Sequence, residues 1–496
     1  MQNPIHHCDV LIIGAGFAGL GMAIRLRQAG IHNVVIVERS DQVGGTWRDN
    51  QYPGAACDIP SNLYSYSFAQ NPDWSRSYSG SREILQYIHS MVRDFELEPL
   101  IHFHRDVTGL RFDRQQARWQ ATTSASDVYI ARSVVMASGP LSNCSLPTIP
   151  GIENYLGHKI HSARWDHQYS IKDKKVAVVG TGASAVQIIP ELVKEAAQLT
   201  VFQRTPGWVL PRLDLQTPNW NKAVFRTLPS TQSATRQVLY GIHEAMALAL
   251  IWQSPLTRVA EQVAKSHLHR QVPDRWLRRQ LTPDFRIGCK RVLMSNDYYP
   301  ALQQPNCKLI TWPIVRMTET GIQTVEGVEH QFDCVVFATG FDVGNAGTPF
   351  PIQGLDGRDL AVEWQDGARA FKSISVAGYP NLFFTFGPNS GPGHNSALVY
   401  MESQLDYAVQ GIQAILKEPG LALDVDATVQ AAFNRKIQSR LARTNWNSGC
   451  KSWYLTDAGF NATMFPGFAT QYRNQMRNFN EAHYLRVDGG QKSSAH

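Results

Sequence analysis

Two glycine-rich stretches in this sequence have the spacing that binds the diphosphate of a dinucleotide. Gly14, Gly16 and Gly19 form a G-x-G-x-x-G pattern, and an acid, Glu38, follows 24 residues after Gly14. The glycines allow a tight turn and a close approach of the backbone to the diphosphate, while the acid accepts hydrogen bonds from ribose hydroxyls. The first stretch therefore predicts a site for FAD or NAD, although the pattern could also be a strand pair without a ligand.

The second stretch repeats this arrangement with the opposite charge. Gly180, Gly182 and Ala185 keep the turn, and Arg204 occupies the place that Glu38 has in the first stretch. A carboxylate repels a 2′-phosphate, whereas a guanidinium binds one. The pair of stretches therefore predicts FAD in the first unit and NADP in the second, unless Arg204 is only a solvated charge at a strand end. Two further residues expected to contact NADP are Ser184 and Thr205.

Short apolar runs surround both stretches and predict the elements that hold them. "DVLII" and "NVVIVE" are typical of strands, "FAGLGMAIRLRQAG" of a helix that ends at Gly30, and "KKVAVVG" of the strand that opens the second unit. The runs "ARSVVMASGP" and "QFDCVVFATGFD" predict strands that return to each sheet and end in small residues. The fold class is therefore α/β, with two Rossmann-like dinucleotide-binding domains.

Helix-like runs between residues 214 and 282 fit neither unit. They repeat apolar residues with a period of about 3.6 residues, which predicts a helical insertion in the NADP-binding domain. The predicted division of the chain is 1–150 (FAD-binding domain, first part), 151–213 (linker motif and NADP-binding domain, first part), 214–282 (insertion), 283–330 (NADP-binding domain, second part) and 331–496 (FAD-binding domain, second part, and C-terminal region).

Composition narrows the class of protein. The net charge of +6 is spread along the chain without a block of like charges, which argues against a nucleic-acid-binding tail. The seven cysteines are scattered and form no C-x-x-C pair, which predicts reduced thiols rather than a disulfide framework or a metal site. The N-terminus lacks the apolar core of a signal peptide, and "AMALALIW" is too short to span a bilayer. We therefore expect a cytoplasmic protein without stable membrane insertion; the sequence does not indicate its oligomeric state.

The segment after the first unit argues against dithiol chemistry. Enzymes that reduce disulfides with two nucleotide units place a redox cysteine pair just after a Gly-Gly-Thr sequence. Here Gly44, Gly45 and Thr46 are followed by Trp47 where the first cysteine should stand, and the second is also missing. Electrons that reach the flavin must therefore pass to another acceptor, and dioxygen is the obvious one.

A third motif joins the two units and carries a resemblance to a known family. Tyr155, Gly157, His161, Trp165 and Asp166 follow the pattern F-x-G-x-x-x-H-x-x-x-W-[P/D], with tyrosine in the first position. This pattern resembles the fingerprint of type I Baeyer–Villiger monooxygenases, which are class B flavoprotein monooxygenases. Nearly the whole chain shares the resemblance, through "GGTW", "YPGAACDIPS", "FQRTPGWVLP", "GCKRVLMSNDYYPAL", "FGPNSGPGHNS" and "SWYL".

The resemblance implies a reaction and roles for residues. It implies FAD and NADP as cofactors, and oxidation of a ketone to an ester or lactone by NADPH and dioxygen through a C4a-peroxyflavin; sulfides could also be oxidised. It implies that Arg291 stabilises the negative charge of the peroxide and that Asp58 orients this arginine. Lys290 would join Arg204 at the 2′-phosphate, and Trp453 would contact NADP or the substrate. The flavin-side contacts implied are Phe17, Gly45, Thr46, Trp47, Asp58 and Tyr64.

The connector motif and the reaction class leave alternatives. The resemblance links the motif to coupling between the domains, so His161 is not expected to be a catalytic base; the motif could also be a structural turn. The competing functions are oxidation of sulfur or nitrogen by a related flavin monooxygenase, simple NADPH oxidation, and redox sensing without catalysis. Trp165 and the Asp58–Arg291 pair argue against the first, and a sensor would not need Arg291. The sequence does not identify the ketone.

Overall fold

The computed structural model describes residues 4–341, 348–450, 452, 454–456 and 458–487. Its strands are β1 (Ile5–Ile13), β2 (Val34–Val37), β3 (Ile101–His102), β4 (Val107–Asp113), β5 (Arg118–Thr123), β6 (Val128–Met136), β7 (His158–His161), β8 (Lys175–Val179), β9 (Gln198–Phe202), β10 (Val209–Leu210), β11 (Leu293–Met294), β12 (Cys307–Ile310), β13 (Ile314–Met317), β14 (Gly321–Thr324), β15 (Glu329–Gln331), β16 (Cys334–Phe337), β17 (Ile352–Gln353), β18 (Leu382–Phe384), β19 (Leu423–Val425) and β20 (Tyr484–Arg486).

Helices cover the sheets and form the insertion. They are α1 (Phe17–Gln28), α2 (Thr46–Asp49), α3 (Ser81–Asp94), α4 (Ala183–Leu192), α5 (Asn219–Thr227), α6 (Pro229–Leu250), α7 (Pro255–Gln271), α8 (Arg275–Gln280), α9 (Tyr298–Ala301), α10 (Leu360–Glu363), α11 (Ala397–Leu416), α12 (Ala427–Leu441) and α13 (Ala469–Met476). In the part of the chain described, no helix is long and apolar enough to cross a bilayer.

The first sheet carries the first glycine stretch at the end of its central strand. Its order is β17-β4-β5-β6-β1-β2-β3, and β18 also pairs with β6. β1 is parallel to both β2 and β6, so Ile13 lies between Val37 and Met136, and the chain turns at Gly14 where all three strands end. The last four residues of β1 are buried because α1 and α11 cover one face of the sheet while a second apolar core covers the other.

The second sheet is wholly parallel and carries the second glycine stretch. Its order is β12-β9-β8-β16-β7, and Val179 at the end of β8 pairs with Phe202 and Phe337. A mixed sheet with a parallel centre and a wholly parallel sheet, both with helices, confirm the predicted α/β fold. One element was not expected, because β7 lies in the connector, where the sequence has no strand alternation. It forms because its backbone adds to the free edge of β16, while only part of its surface is buried.

The insertion consists of α5 to α8, and it touches both units. From α6, Gln232 donates to the side chain of Asn62, and the buried Arg236 donates to the backbone carbonyls of residues 62, 63 and 65. α7 instead packs against β10 and α9 on the side of the second sheet. The four helices lie between residues 219 and 280, inside the predicted range; the domain boundaries themselves stay predictions.

One prediction about the cysteines is wrong. Cys289 and Cys450 form a disulfide across 161 residues of sequence, whereas Cys8, Cys57, Cys144, Cys307 and Cys334 are free thiols. Folding brings the pair together because the segment before Cys450 binds the end of α6, where Asn445 donates its backbone N–H to the carbonyl of Ile251. Gly288 lies against the same helix end: a side chain there would come within 2.3 Å of the carbonyl oxygen of Leu250. The spacing of the cysteines could not reveal this contact.

Candidate active site

The glycines of the first stretch let three backbone segments meet. Gly14 has φ +109°, and a Cβ on it would lie 2.6 Å from the carbonyl oxygen of Ala137, the residue that follows β6. A Cβ on Gly19 would lie 1.8 Å from the carbonyl oxygen of Gly14, because α1 begins directly against the end of β1. Only glycine is compatible with both positions, so the N-terminus of α1 stays open towards a bound group.

A cavity lies in front of this turn, and most of the predicted flavin-side residues line it. They are Gly14, Gly16, Phe17, Glu38, Gly45, Thr46, Trp47 and Tyr64. Gly19 and Asp58 do not, since Gly19 serves the packing of α1 and Asp58 lies towards the second unit. The cavity extends from the acid at the end of β2 to the indole of Trp47, and this shape and lining fit an extended dinucleotide.

Glu38 is held in place at one end of the cavity. Its carboxylate is buried, with 5% of the residue exposed, and it accepts a hydrogen bond from the backbone N–H of Ala15 at 2.9 Å through Oε2. Oε1 accepts from the N–H of Ser40 at 3.0 Å and from Arg48 Nη1 at 2.9 Å. Since a carboxylate can accept about four hydrogen bonds, Oε2 still has capacity for a ribose hydroxyl.

The other end of the cavity contains the aromatic pair Trp47 and Tyr64. Trp47 Nε1 donates to the Tyr64 hydroxyl at 3.1 Å, and the two rings pack edge to face. Burial raises the pKa of Tyr64, so the phenol stays neutral. The pair forms an apolar wall with its polar groups satisfied, as suits the ring system of a flavin.

Part of the cavity lining comes from distant segments that no sequence pattern connects to the glycine turn. Arg48, Asp49 and Arg105 contribute from the first part of the chain, and Phe386, Ala397 and Met401 from the second part. The last two lie one turn apart at the start of α11, whose N-terminus is capped by Ser396. The signal was present, since a serine before a long apolar-periodic run predicts a helix start, but nothing in the sequence places that start at the cavity.

The second glycine stretch repeats the geometry of the first. Gly180 has φ +118°, and a Cβ there would lie 2.5 Å from the carbonyl oxygen of Ala338, while a Cβ on Gly182 would point into open space. Ala185 is fully buried under the turn. The Thr181 hydroxyl donates to the carbonyl of Thr205 at 2.9 Å and so holds the loop after β9. This turn is thus also open to a bound diphosphate.

Two cations lie close together beside this second turn. The pKa of Lys290 is lowered, first by partial burial and then by the positive charge of the exposed Arg204. The structure therefore brings together the two residues predicted to bind the 2′-phosphate. Two like charges within electrostatic range of each other favour an anion nearby.

Arg291 and Asp58 form an ion pair where the two units meet. Arg291 donates to the same Asp58 oxygen, Oδ2, from Nε at 2.9 Å and from Nη2 at 2.6 Å. The charge of Asp58 raises the pKa of Arg291, so the guanidinium remains a cation. Both side chains keep solvent access, with 41% and 29% exposed, so another group can reach them. Trp453, also expected near this site, lies outside the described residues.

Next to this ion pair, the hydrogen bonds of the Gln187 side chain join the two nucleotide-binding units; we call this set of bonds the clasp. Gln187 of α4 accepts from the Tyr52 hydroxyl at 2.9 Å and from the N–H of Ala56 at 3.3 Å, and it donates to the carbonyl of Ala56 at 3.0 Å. A side chain on Gly54 would come within 2.6 Å of the Gln187 carbonyl oxygen. Ser184 lies near the Tyr52 hydroxyl and opposes the rise in the pKa of Tyr52 that burial causes.

The connector motif contacts both units. Tyr155 donates its hydroxyl to the carbonyl of Phe332 at 2.8 Å, and a Cβ on Gly157 would lie 2.2 Å from that hydroxyl oxygen. His161 accepts from the N–H of Ala163 at 3.1 Å, and burial lowers its pKa. Arg164 lies 3.4 Å from the carboxylate of Asp49, which lines the first cavity. Gly157 is therefore required because a side chain would clash there, and not because its backbone angle is unusual.

Comparisons with known proteins agree with this geometry. A family model of pyridine nucleotide-disulphide oxidoreductases matches residues 11–235. A Baeyer-Villiger monooxygenase of Streptomyces coelicolor is 41% identical over 486 residues, which is 97% of this chain and 93% of the relative. One of Pseudomonas aeruginosa is also 41% identical and covers 96% of this chain and 91% of its own length.

Solved structures have the same overall architecture. An oxidized steroid monooxygenase bound to NADP matches 97% of this chain and all of its own, with 29% identity and a TM-score of 0.85. A cyclohexanone monooxygenase from Rhodococcus sp. Phi1 bound to NADP+ matches 98% of this chain and all of its own, with 26% identity and a TM-score of 0.87. Through this likeness along almost its whole length, the chain belongs to the Baeyer–Villiger monooxygenases, flavoenzymes that use FAD, NADPH and dioxygen.

Proposed function

We propose that this enzyme converts a ketone into an ester or lactone at the Asp58–Arg291 pair. The overall reaction consumes one ketone, dioxygen, NADPH and a proton, and yields the ester, NADP+ and water. The observation that carries the proposal is the placement of a permanently charged, solvent-accessible guanidinium at the junction of the two nucleotide units.

The chemistry divides between the cofactor and the chain. When bound, FAD would supply the hydride-accepting and oxygen-activating chemistry. Arg291 stabilises negative charge that develops on the oxygen atoms of the reacting complex, because a guanidinium cannot be deprotonated there. Asp58 fixes the direction of this guanidinium through its two hydrogen bonds. The clasp at Gln187 keeps the two units in register while this occurs.

We assign the remaining predicted residues to binding. Gly14, Gly16 and Gly19 form the turn for the FAD diphosphate, Glu38 binds the ribose, and Trp47 and Tyr64 face the flavin. At the second turn, Arg204 and Lys290 bind the 2′-phosphate of NADPH. The lining of the first cavity and the closeness of the two cations support these roles. We also propose a cytoplasmic location, where NADPH is supplied, although the disulfide removes the cysteines as an argument for it.

Product analysis tests this proposal. The purified enzyme is incubated with NADPH and a panel of cyclic and linear ketones, and ester, NADPH and hydrogen peroxide are each quantified. We expect ester in nearly the same molar amount as NADPH consumed for at least one ketone. NADPH consumption that yields only hydrogen peroxide with every ketone, or sulfoxide alone from added sulfides, would contradict it.

A further inference from the structure

The outer face of α6 carries apolar side chains that are open to solvent. Four residues follow one another at spacings of four, three and three, so they lie on one face of the helix, and all four are exposed: Val238, Ile242, Ala245 and Leu248. The opposite face is buried, with Ala247 and Leu250 in the core. A helix that is apolar on both faces is normally enclosed on both, so this outer face indicates a binding partner.

The next helix, α7, continues this exposed apolar surface. Leu256, Val259 and Val263 lie on one side of α7 at spacings of three and four, and all three are exposed. α6 and α7 each place a buried residue, Leu250 and Ala264, in the same apolar cluster. The exposed residues of the two helices therefore lie on the outer side of one helix pair. We call these seven apolar side chains, four on α6 and three on α7, the insertion surface.

Exposed apolar side chains are concentrated in this region of the chain. Among the described residues, eleven of the twenty large hydrophobic side chains that are exposed lie between residues 213 and 276. Two of the eleven are tryptophans, Trp220 on α5 and Trp276 on α8, with 68% and 65% of their surface exposed. Large exposed apolar patches mark surfaces that bind proteins or membranes, and tryptophan is enriched where a bilayer meets water. The composition of this region therefore favours a bilayer.

Positive charge separates a bilayer from a second copy of this chain as the partner. Residues 214–282 contain nine Lys and Arg against four Asp and Glu, which gives +5 of the net +6 of the whole chain. Arg258 stands next to Val259, and Arg270 lies about two turns after Val263 on the same side of α7; both arginines are exposed. Two copies joined through this surface would bring like charges together, whereas an anionic bilayer attracts them.

We propose that the insertion surface binds an anionic lipid bilayer. The seven apolar side chains enter the boundary between headgroups and acyl chains, while Arg258 and Arg270 contact the lipid phosphates. The helices lie on the membrane and do not cross it. Arg236 of α6 connects them to the first unit through its hydrogen bonds to the carbonyls of residues 62 and 63. This binding goes beyond ketone oxidation and does not depend on it.

Vesicle sedimentation tests this surface on the FAD-loaded enzyme, without ketone or NADPH. The vesicles contain phosphatidylcholine alone or with about one third phosphatidylglycerol, and bound protein is measured against lipid concentration. The apolar variant combines Ile242→Gln with Leu248→Gln. The charge variant combines Arg258→Gln with Arg270→Gln. Since all four side chains are exposed, both variants should fold, and retained flavin absorbance confirms it.

Two double variants outside the insertion are the matched controls. Val362→Gln with Leu485→Gln replaces two exposed apolar side chains, and Arg435→Gln with Lys436→Gln replaces two exposed cations of α12. Both controls make the same chemical changes as the test variants at sites away from the insertion surface. They should therefore bind vesicles within about twofold of wild type.

We expect wild type to bind the phosphatidylglycerol vesicles at least about 10-fold more strongly than phosphatidylcholine alone. The charge variant should lower this partition coefficient by about 10- to 30-fold, because each arginine near an anionic surface contributes to binding. The apolar variant should lower it by at least about 10-fold, since two large side chains no longer leave water. High salt should weaken binding of the wild type, because it screens the charges.

The proposal is overturned if wild type binds anionic vesicles no better than neutral ones, or if both test variants bind as well as their controls. Analytical ultracentrifugation without lipid examines the other partner. A wild type that ignores vesicles but forms a dimer, which the apolar variant abolishes, would assign the surface to a second copy and also overturn the proposal. Failure of the proposed function has a separate signature, because no ketone would yield ester while vesicle binding remained.

Discussion

Arg291 donates both of its hydrogen bonds to Asp58 through a single carboxylate oxygen, Oδ2. The pair is therefore not the symmetric fork in which each oxygen takes one donor. Neither Nη1 of the arginine nor Oδ1 of the aspartate takes part in it. An oxygen atom of the reacting complex can thus be bound by Nη1 without breaking the contact that orients the guanidinium.

Replacing Arg291 should separate flavin reduction from oxygen transfer. In Arg291→Ala, FAD should remain bound, because the variant leaves both glycine turns intact. Loss of one preorganised charged donor typically costs about 100- to 1000-fold in rate, so ester per NADPH should collapse and hydrogen peroxide should replace it. Arg258→Ala, at an exposed arginine on α7, is the matched control. Wild-type ester yield in Arg291→Ala would remove this residue from the mechanism.

Replacing Arg204 should affect NADPH far more than NADH. A hydrogen bond to a charged group contributes roughly 1.5–3 kcal/mol, so the KM for NADPH should rise by about 10- to 100-fold in Arg204→Ala. The KM for NADH, which lacks the 2′-phosphate, should change little and serves as the internal control. Lys290→Ala should shift the same ratio in the same direction. An equal rise in KM for both nucleotides would show that the two cations do not bind the 2′-phosphate.

A methyl group at Gly19 should abolish FAD binding. The Cβ of Gly19→Ala would overlap the Gly14 carbonyl, whereas Gly241→Ala, on the outer face of α6, meets no atom within 4 Å. The first variant should be purified without yellow colour and should take up no added FAD. The second should hold FAD normally and gain about 0.5–1 kcal/mol in its free energy of unfolding, because alanine favours helix. Visible absorbance of the bound flavin and thermal melting distinguish these outcomes.

Removing the Gln187 hydrogen bonds between the units should weaken the coupling of NADPH consumption to ester formation while the protein still folds. Gln187→Leu removes three hydrogen bonds and leaves the Tyr52 hydroxyl without its acceptor at 2.9 Å. We expect a loss of about 1–3 kcal/mol in stability and more hydrogen peroxide per NADPH. Gln237→Leu, on the exposed face of α6, is the control. Unchanged coupling in Gln187→Leu would mean that the units are aligned by other contacts.

Breaking the disulfide should lower stability without removing either nucleotide site. Cys450→Ser should reduce the free energy of unfolding by about 2–5 kcal/mol, since a long covalent loop restricts the unfolded chain. Cys144→Ser, at a free and partly exposed cysteine, should leave it unchanged. Chemical denaturation with and without reductant measures both. A wild-type protein whose unfolding midpoint does not respond to reductant would contradict the pairing.

The sequence predicts the structural features that depend on the spacing of residues close together in the chain. Strand, turn and helix at Gly14 and Gly180 follow from short-range steric requirements, and so does the helical character of the insertion. The assignment of Phe17, Trp47 and Tyr64 came instead from resemblance to a family, since no spacing rule links them.

The features that were missed all depend on contacts between distant segments. Met401 lines the same cavity as Gly14 only because β18 joins β6 and sends α11 across the sheet. Likewise Cys289 meets Cys450, and His394 meets Glu244, only after the chain has folded. β7 became a strand because an edge was free, which no alternation in its own residues could signal.

The Cys289–Cys450 bond also changes what a protease can do to this molecule. Residues 325–328, which form the turn between β14 and β15, are all exposed and lie inside the closed covalent loop. Cleavage after Glu326 would therefore give two polypeptides that migrate as one species until a reductant is added. The disulfide would keep the two polypeptides of a cleaved enzyme covalently linked. Cleavage of the backbone in this loop would therefore not divide the molecule in two.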